Sequence, residues 1–498
     1  MRNIRDYYAG GKKLGFINVA FSARATGESA WLLLGLTGIG FAVGAQGFWI
    51  VLGELIGVGA AWLCMARRFK RLSDKYDSLT IPDYLESRFR DPSHWLRLIA
   101  AGALVIFVPI YAAGQVFATG KAFNAFLGVD HYLGAAIGFG VVMLYITKGG
   151  FVAVVWSDVF QGTLMVIGLV ALPIAALLEI GGVTNFFDIL RQTTPDHLSI
   201  TAGQGFTPLT IATIIGFAAI GIGFLGSPQV FVRFISLRSE NELHKGAAVA
   251  LLWTILADSG AVLVGMTGRA LYDLPTIGGD ADNILPFLSD VLFPSFIVGI
   301  FIAMVLSAIM STIDSLLIVA SSAAVRDYWQ KTRHPDMSDN TLVKTSQRLT
   351  LVLALIAFAV GMGILLYDKE NGVFWIIIFG WSGIAATFCP TMILSLFWSK
   401  LTSRGAMAAM VAGFAAVPFF KFAAPPIFNA VNLPVANDYL TALDVLPPAF
   451  IVSFAVAVAV SLADGKGRAA VAHAAEDLAE SKGHPPASPP SPNTSPNS

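Results

Sequence analysis

Residues 22–31 read SARATGESAW, inside an apolar stretch that runs from Leu14 to Gly44. Arg24 and Glu28 lie four residues apart with Gly27 between them, at the depth where a lipid-facing helix carries hydrocarbon. On insertion scales an Arg at mid-helix costs about 2.5 to 3.5 kcal/mol, whereas each Leu, Ile, Phe or Val returns only about 0.3 to 0.6 kcal/mol. The flanking WLLLGLTGIGF cannot offset both charges, so this face looks into protein or into water. Gly27 and its small neighbours also weaken the helix, and broken backbone at membrane depth is tolerated only where it lines a cavity or is buried in protein. A helix interrupted among charges therefore implies a bundle with a polar interior.

Composition agrees. Of 498 residues 55% are apolar and 13% charged, against about 25% charged in ordinary soluble domains, so the chain reads as an all-α polytopic membrane protein. A net charge of zero says little about partners, because charge acts here through its placement. Cys64 and Cys389 match no metal spacing or disulfide framework and read as packing residues. The polar first thirteen residues and the long apolar run behind them are not a cleavable signal.

Spans of about 20 apolar residues fall near 14–44, 47–66, 95–122, 130–147, 158–180, 207–230, 244–268, 294–325, 347–366, 372–398, 404–420 and 446–463, about 12 in all. Residues 1–13 read as a cytoplasmic N-terminus, 181–206 as an extracellular loop and 464–498, ending HPPASPPSPNTSPNS, as a disordered cytoplasmic tail. With the N-terminus inside, 26 of the 32 Lys and Arg fall in inside segments, five fall outside, and Arg24 alone lies within a span. That asymmetry places both termini in the cytoplasm.

Residues 216–229, GFAAIGIGFLGSPQ, form a second interrupted span, with four glycines and Pro228. If 14–180 and 207–398 are repeats of five helices each, the two interruptions open each half, and the odd number gives the halves opposite topology. Interrupted helices at matching positions of inverted repeats point to a transporter's midplane site. A third stretch, LSAIMSTIDSLLIVASSAAVRDYW (306–329), carries Ser311 and Thr312 in mid-span one turn after Ala308. Such hydroxyls ordinarily bond their own preceding turn or a neighbouring helix; Asp314 beside them favours a functional role. Arg24 pairs with Glu28 at helical spacing, or it receives a substrate carboxylate. Glu28 stands near a cation or carries a proton, and the intramembrane acids Glu54 and Asp258 have no assigned role.

SAWLLLGL (29–36), LTIPDYLESRF (79–89), KGGFVAVVWSDVFQGTLM (148–165), GFLGSPQVFVRF (223–234), AIMSTIDSLLIVASSA (308–323) and FWSKLTSRGAMAAMVAG (397–413) resemble the sodium/solute symporters, nearest to their bacterial sodium/proline branch. The resemblance implies a five-plus-five inverted-repeat (LeuT-like) core, 14–180 and 207–398, with two additional C-terminal helices in 404–463. It implies that a coupling Na⁺ is held by Ala25, Glu28 and Ala308 carbonyls with the Ser311 and Thr312 hydroxyls, and that Thr26, Ser29, Tyr111, Ile220, Phe224 and Pro228 contact the solute. Arg24, Asp158 and Asp314 then serve coupling or gating, Asp158 otherwise reading as an interfacial helix cap. The chain departs from the branch where an acid, a Met and a small residue of the first core helix become Gly27, Glu28 and Arg24. A Trp and a Tyr of the sixth likewise become Ile220 and Phe224. Members commonly carry one more helix ahead of the core; this chain opens where their first loop lies, with Lys12 in place of an Arg.

The expected activity is sodium-coupled symport of proline or another small amino acid or carboxylate by alternating access in the plasma (inner) membrane. No enzymatic chemistry, no cofactor beyond Na⁺ as coupling ion, no nucleic acid and no obligate protein partner are expected. A proton-coupled symporter is the alternative, and a membrane solute sensor the more distant one.

Overall fold

In a computed structural model of the chain, residues 10–146, 151–334, 336–367 and 372–482 are described. Among them the fold is helical, the sheet-like element being one bridge between Leu14 and Leu237. In chain order the framework is α1 (Phe16–Gly27), α2 (31–43), α3 (48–75), α4 (Ile81–Phe89), α5 (Trp95–Leu127), α6 (His131–Ile146) and α7 (Phe151–Ile180). After a surface helix (Val183–Thr193) come α8 (Pro208–Ala219), α9 (Pro228–Ser236), α10 (Leu243–Leu271), α11 (Ser295–Ser322), α12 (Asp339–Tyr367), α13 (Val373–Phe397), α14 (Ser403–Pro418), α15 (Leu446–Ala463) and α16 (Ala474–Ser481). Among the described residues, 10 helical runs can cross a membrane by length and composition, and His131–Leu144 is a shorter apolar helix. One of those runs, Trp31–Lys75, is interrupted at Gly44 by non-helical backbone (φ 59°, ψ −130°). Lys12, just ahead of α1, pairs with Asp74 at the end of α3 at 3.0 Å, so the chain goes out along α1–α2 and returns along α3.

The inversion of the halves is visible in the backbone. Leu14 N–H donates to Ser236 O at 3.1 Å and Arg238 N–H to Leu14 O at 2.9 Å. The chain therefore enters its first interrupted helix, α1–α2, where it leaves the second, α8–α9, and the two run antiparallel. The second interruption is a tight turn, Ile220–Leu225, followed by Gly226 and Ser227 before Pro228 opens α9, the position where a missing N–H costs a helix nothing. Small residues set the approach of this turn to α3. A Cβ on Gly221 would lie 1.9 Å from Gly53 O, and one on Gly53 would lie 2.1 Å from Ala218 O, so backbone meets backbone directly. Helix α1 packs on α7, α9, α10 and α11, and α13 packs on the 220–225 turn and α5.

Three sequence expectations change. Helix α7 starts at Phe151, seven residues ahead of Asp158, which lies buried inside it and is not an interfacial cap. Arg24 is not the lone cation within the bundle: Arg233, counted with the loops, is fully buried in α9.

Residues 464–482, expected in the disordered tail, form Gly465–Ala470 and α16. Ala, Glu and Leu there favour helix, and α16 docks on the end of α3, with Lys75 reaching Asp477 at 2.5 Å and Glu480 at 2.6 Å. The rest of that tail, 483–498, the segment 147–150 and residues 1–9 of the expected N-terminus lie outside the described residues. Burial raises the Asp477 carboxyl, but hydrogen bonds from Lys75 and Tyr76 outweigh it and hold the group below the ordinary Asp range. A carboxyl held low in the folded state contributes above its unfolded pKa of about 3.9 and loses that contribution as pH falls through the lower folded value. Hydrogen exchange at 474–481 is therefore expected to quicken selectively below about pH 4.

Candidate functional site

Helix α1 ends at Gly27, and Glu28 is extended (φ −93°, ψ 140°), its N–H still donating to Arg24 O at 2.8 Å. Helical backbone resumes by Trp31, whose indole N–H donates back across the break to Gly27 O at 3.1 Å. The loosened carbonyls face α11. Ser311 Oγ lies 3.0 Å from Ala25 O and 3.0 Å from Ala308 O. Thr312 Oγ1 lies 3.1 Å from Glu28 O and 3.1 Å from Ala308 O. All five residues are fully buried. Each hydroxyl has one proton to give and two carbonyls to serve, so the group is rich in oxygen and short of donors. Both local readings of Ser311 and Thr312, back-bonding to their own turn and reaching a neighbouring helix, hold at once.

Beside this lining, Arg24 is enclosed by carboxylates. It donates to Glu28 and, through Nη1 and Nη2, to Glu54 at 3.2 and 3.1 Å, while Asp258 of α10 stands 3.5 Å away. Phe224 and Trp253 cover the guanidinium, with ring centroids 4.8 and 5.2 Å from its carbon. The expected pairing with Glu28 is present. Glu54 and Asp258, which the sequence left without a role, complete the shell.

A second buried network sits around Arg233. Its Nη2 donates to Thr26 Oγ1 and Ser315 Oγ, each at 2.6 Å, and its Nε to Ser22 Oγ at 3.1 Å. Ser22 in turn donates to Asp158 at 2.6 Å, with Arg233 3.5 Å from the same carboxylate. Asp314, next to Ser315, is buried with neither carboxylate oxygen hydrogen-bonded. Arg24, Asp158 and Asp314, grouped at the outset as coupling residues, thus divide between two clusters on opposite faces of α1. Thr26 belongs to the second cluster.

The remaining expected contacts gather around a residue the sequence did not single out. Trp381 of α13 donates to Ile220 O at 3.0 Å, with Phe224 at 5.1 Å and Tyr111 at 6.3 Å between ring centroids. The Tyr111 and Ser382 hydroxyls are buried without hydrogen bonds. Gln115, one turn from Tyr111, donates to Ser29 Oγ at 3.0 Å and accepts from Ala30 N–H at 3.3 Å, fixing the far side of the break. Pro228 lies apart, in a narrow cleft with Leu79, Pro82, Phe151 and Ile318. Trp381 and Gln115 carry no sequence signal, because a ring or a single amide within a long apolar helix is ordinary.

Residues 7–413 match the model of the sodium:solute symporter family. The chain is 36% identical over 417 residues to the high-affinity proline transporter PutP of Bacillus subtilis, covering 83% of this chain and 86% of that one. It is 32% identical over 427 residues to the sodium/proline symporter of Escherichia coli, covering 84% and 83%. Among solved structures, a substrate-bound, outward-open Na⁺-coupled sialic acid symporter superposes with a TM-score of 0.75 at 18% identity, covering 93% of both chains. MhsT in complex with L-phenylalanine gives 0.53 at 16% identity, covering 89% of this chain and 98% of that one. At these identities the two structures speak for the fold.

Proposed function

This chain belongs to the sodium:solute symporter family, and on that premise we propose that the oxygen-rich contact between α1 and α11 is where a coupling Na⁺ drives uptake of a small solute. The fold is the inverted five-plus-five arrangement that the two interruptions imply. One observation carries the site assignment: Ala25, Glu28, Ala308, Ser311 and Thr312 bring three carbonyls and two hydroxyls into contact across two helices, between residues 284 and 286 positions apart in sequence, with two protons among them. A hard cation wants such oxygens, and unwound backbone supplies carbonyls free of helical bonds.

The cycle follows from that contact. Na⁺ would tie the broken end of α1 to α11, and the ordered break would then present Ser29 and the start of α2 to the solute. Half-helix N-termini attract anionic groups, which suits the carboxylate of an amino acid, while Tyr111, Phe224 and Trp381 offer aromatic faces to its apolar part. The relatives named for proline make that solute the first to test, with other small amino acids and monocarboxylates behind it. Inward movement of one Na⁺ down the membrane potential supplies about 2.3 kcal/mol per 100 mV. The Lys- and Arg-rich end, with Lys12 and Asp74, is assigned to the cytoplasm.

Uptake of radiolabelled proline and its analogues into proteoliposomes, with and without an inward Na⁺ gradient, tests this reading. Concentrative uptake that follows the Na⁺ gradient is expected; accumulation of none of these solutes under that gradient contradicts it. Trp381→Ala is expected to raise the solute KM about tenfold or more, because a buried Trp lost from a contact removes about 1.5–3 kcal/mol of apolar burial, while the Na⁺ dependence stays near that of the parent.

A further inference from the structure

The cluster around Arg24 is not neutral. Glu28, Glu54 and Asp258 bring three carboxylates to one guanidinium, and all four residues have no exposed surface. Fully ionised, the group carries an excess of two negative charges at a depth where even one uncompensated charge is costly. Arg24 does not satisfy it. Glu28 Oε2, Glu54 Oε1 and both oxygens of Asp258 are buried and meet no hydrogen-bond donor, and Arg24 Nε is unpaired as well. One oxygen from each of the three carboxylates lies within 4.8 Å of the others. For metal–oxygen bonds of about 2.3–2.6 Å, that is the separation of two ligands on opposite sides of one cation.

We propose that Glu28, Glu54 and Asp258 form a second cation site, taking one hard cation, Na⁺ or a divalent ion such as Ca²⁺, beside Arg24. Carboxylate oxygens from α3, α10 and the break after α1 are its ligands, and the bound charge offsets the excess that Arg24 leaves. Glu28 then serves two sites, its carbonyl facing Thr312 and its carboxylate facing Glu54 and Asp258. An ion at either site restrains the same extended residue and so favours the other. This coupling rests on the Na⁺ site proposed above; the second site itself does not.

Equilibrium binding of radiolabelled Na⁺, and separately of radiolabelled Ca²⁺, to the purified full-length carrier separates the cases. Two Na⁺ per chain are expected for the parent protein, falling to one in D258N and in E54Q, and to one in the Ser311→Ala, Thr312→Ala double variant. Sigmoidal Na⁺ dependence of uptake should become hyperbolic in D258N. Ca²⁺ binding by the parent that D258N loses supports the site with a divalent occupant. One Na⁺ in the parent, kept in D258N and lost in the hydroxyl double variant, with no Ca²⁺ bound, overturns the second site and leaves the first standing. One Na⁺ kept in the hydroxyl double variant and lost in D258N does the reverse. The parent measurement needs no variant to fold, so absence of a second ion there is decisive by itself.

Discussion

Replacing Ser311 and Thr312 together with Ala is expected to uncouple uptake from Na⁺ while leaving the carrier folded. Each hydroxyl bridges two helices at 3.0 to 3.1 Å, and a bond to a charged group is worth about 1.5–3 kcal/mol, so losing one weakens Na⁺ binding by about ten- to a hundredfold. Losing both removes two of the five oxygens. Ala is a strong helix former, and the loss to the apo fold is two ordinary hydrogen bonds. Initial rates of solute uptake across a series of Na⁺ concentrations read the effect directly. Each single variant should keep saturable Na⁺ dependence at a raised half-saturation, and the double variant should have none.

Arg24→Met is expected to be the most damaging single substitution in the chain. Removing one partner of a buried ionic group costs about 3–5 kcal/mol, and here Glu28, Glu54 and Asp258 would all lose their shared counter-charge. A thiol-reactive dye can follow the unfolding, because Cys389 is buried, provided the exposed Cys64 is first replaced by Ser. Cys389 should label at a markedly lower temperature in Arg24→Met. Adding E54Q and D258N should recover much of the loss by removing the stranded charges. A melting temperature unchanged by Arg24→Met would show that the acids are neutralised without it.

What the sequence could disclose followed from cost. Arg24, Gly27 and Glu28 announce a break because lipid cannot hold them, and Ser311, Thr312 and Asp314 stand out in an apolar helix for the same reason. The inverted halves were legible from Gly27 and the glycines before Pro228, and the backbone pairing of Leu14 with residues 236 and 238 gives them their geometry. Partnership was not legible. Glu54 and Asp258 join Arg24 from helices 30 and more than 200 residues away, and hydropathy carries no information about which helices touch. Arg233 was hidden by its neighbours: Arg238 and Lys245 make 233–245 look like a basic loop, although α9 runs on to Ser236 and holds Arg233 in its last turn. Trp381 was hidden by its own chemistry, since an aromatic ring in an apolar helix is ordinary until Ile220 O is seen to accept from it. Gly465–Ser481 was misjudged because Pro and Ser beyond it coloured the reading of a segment rich in Ala.

Sodium coupling in this carrier turns on a cation held between the end of α1 and the hydroxyls of α11. Equilibrium binding of radiolabelled Na⁺ in the absence of any solute, comparing D258N with D258N that also carries Ser311→Ala and Thr312→Ala, isolates that contact from the carboxylate cluster. Saturable binding of one Na⁺ by D258N, abolished when the two hydroxyls go, is the predicted result; binding that survives their removal would place the coupling ion elsewhere and contradict it.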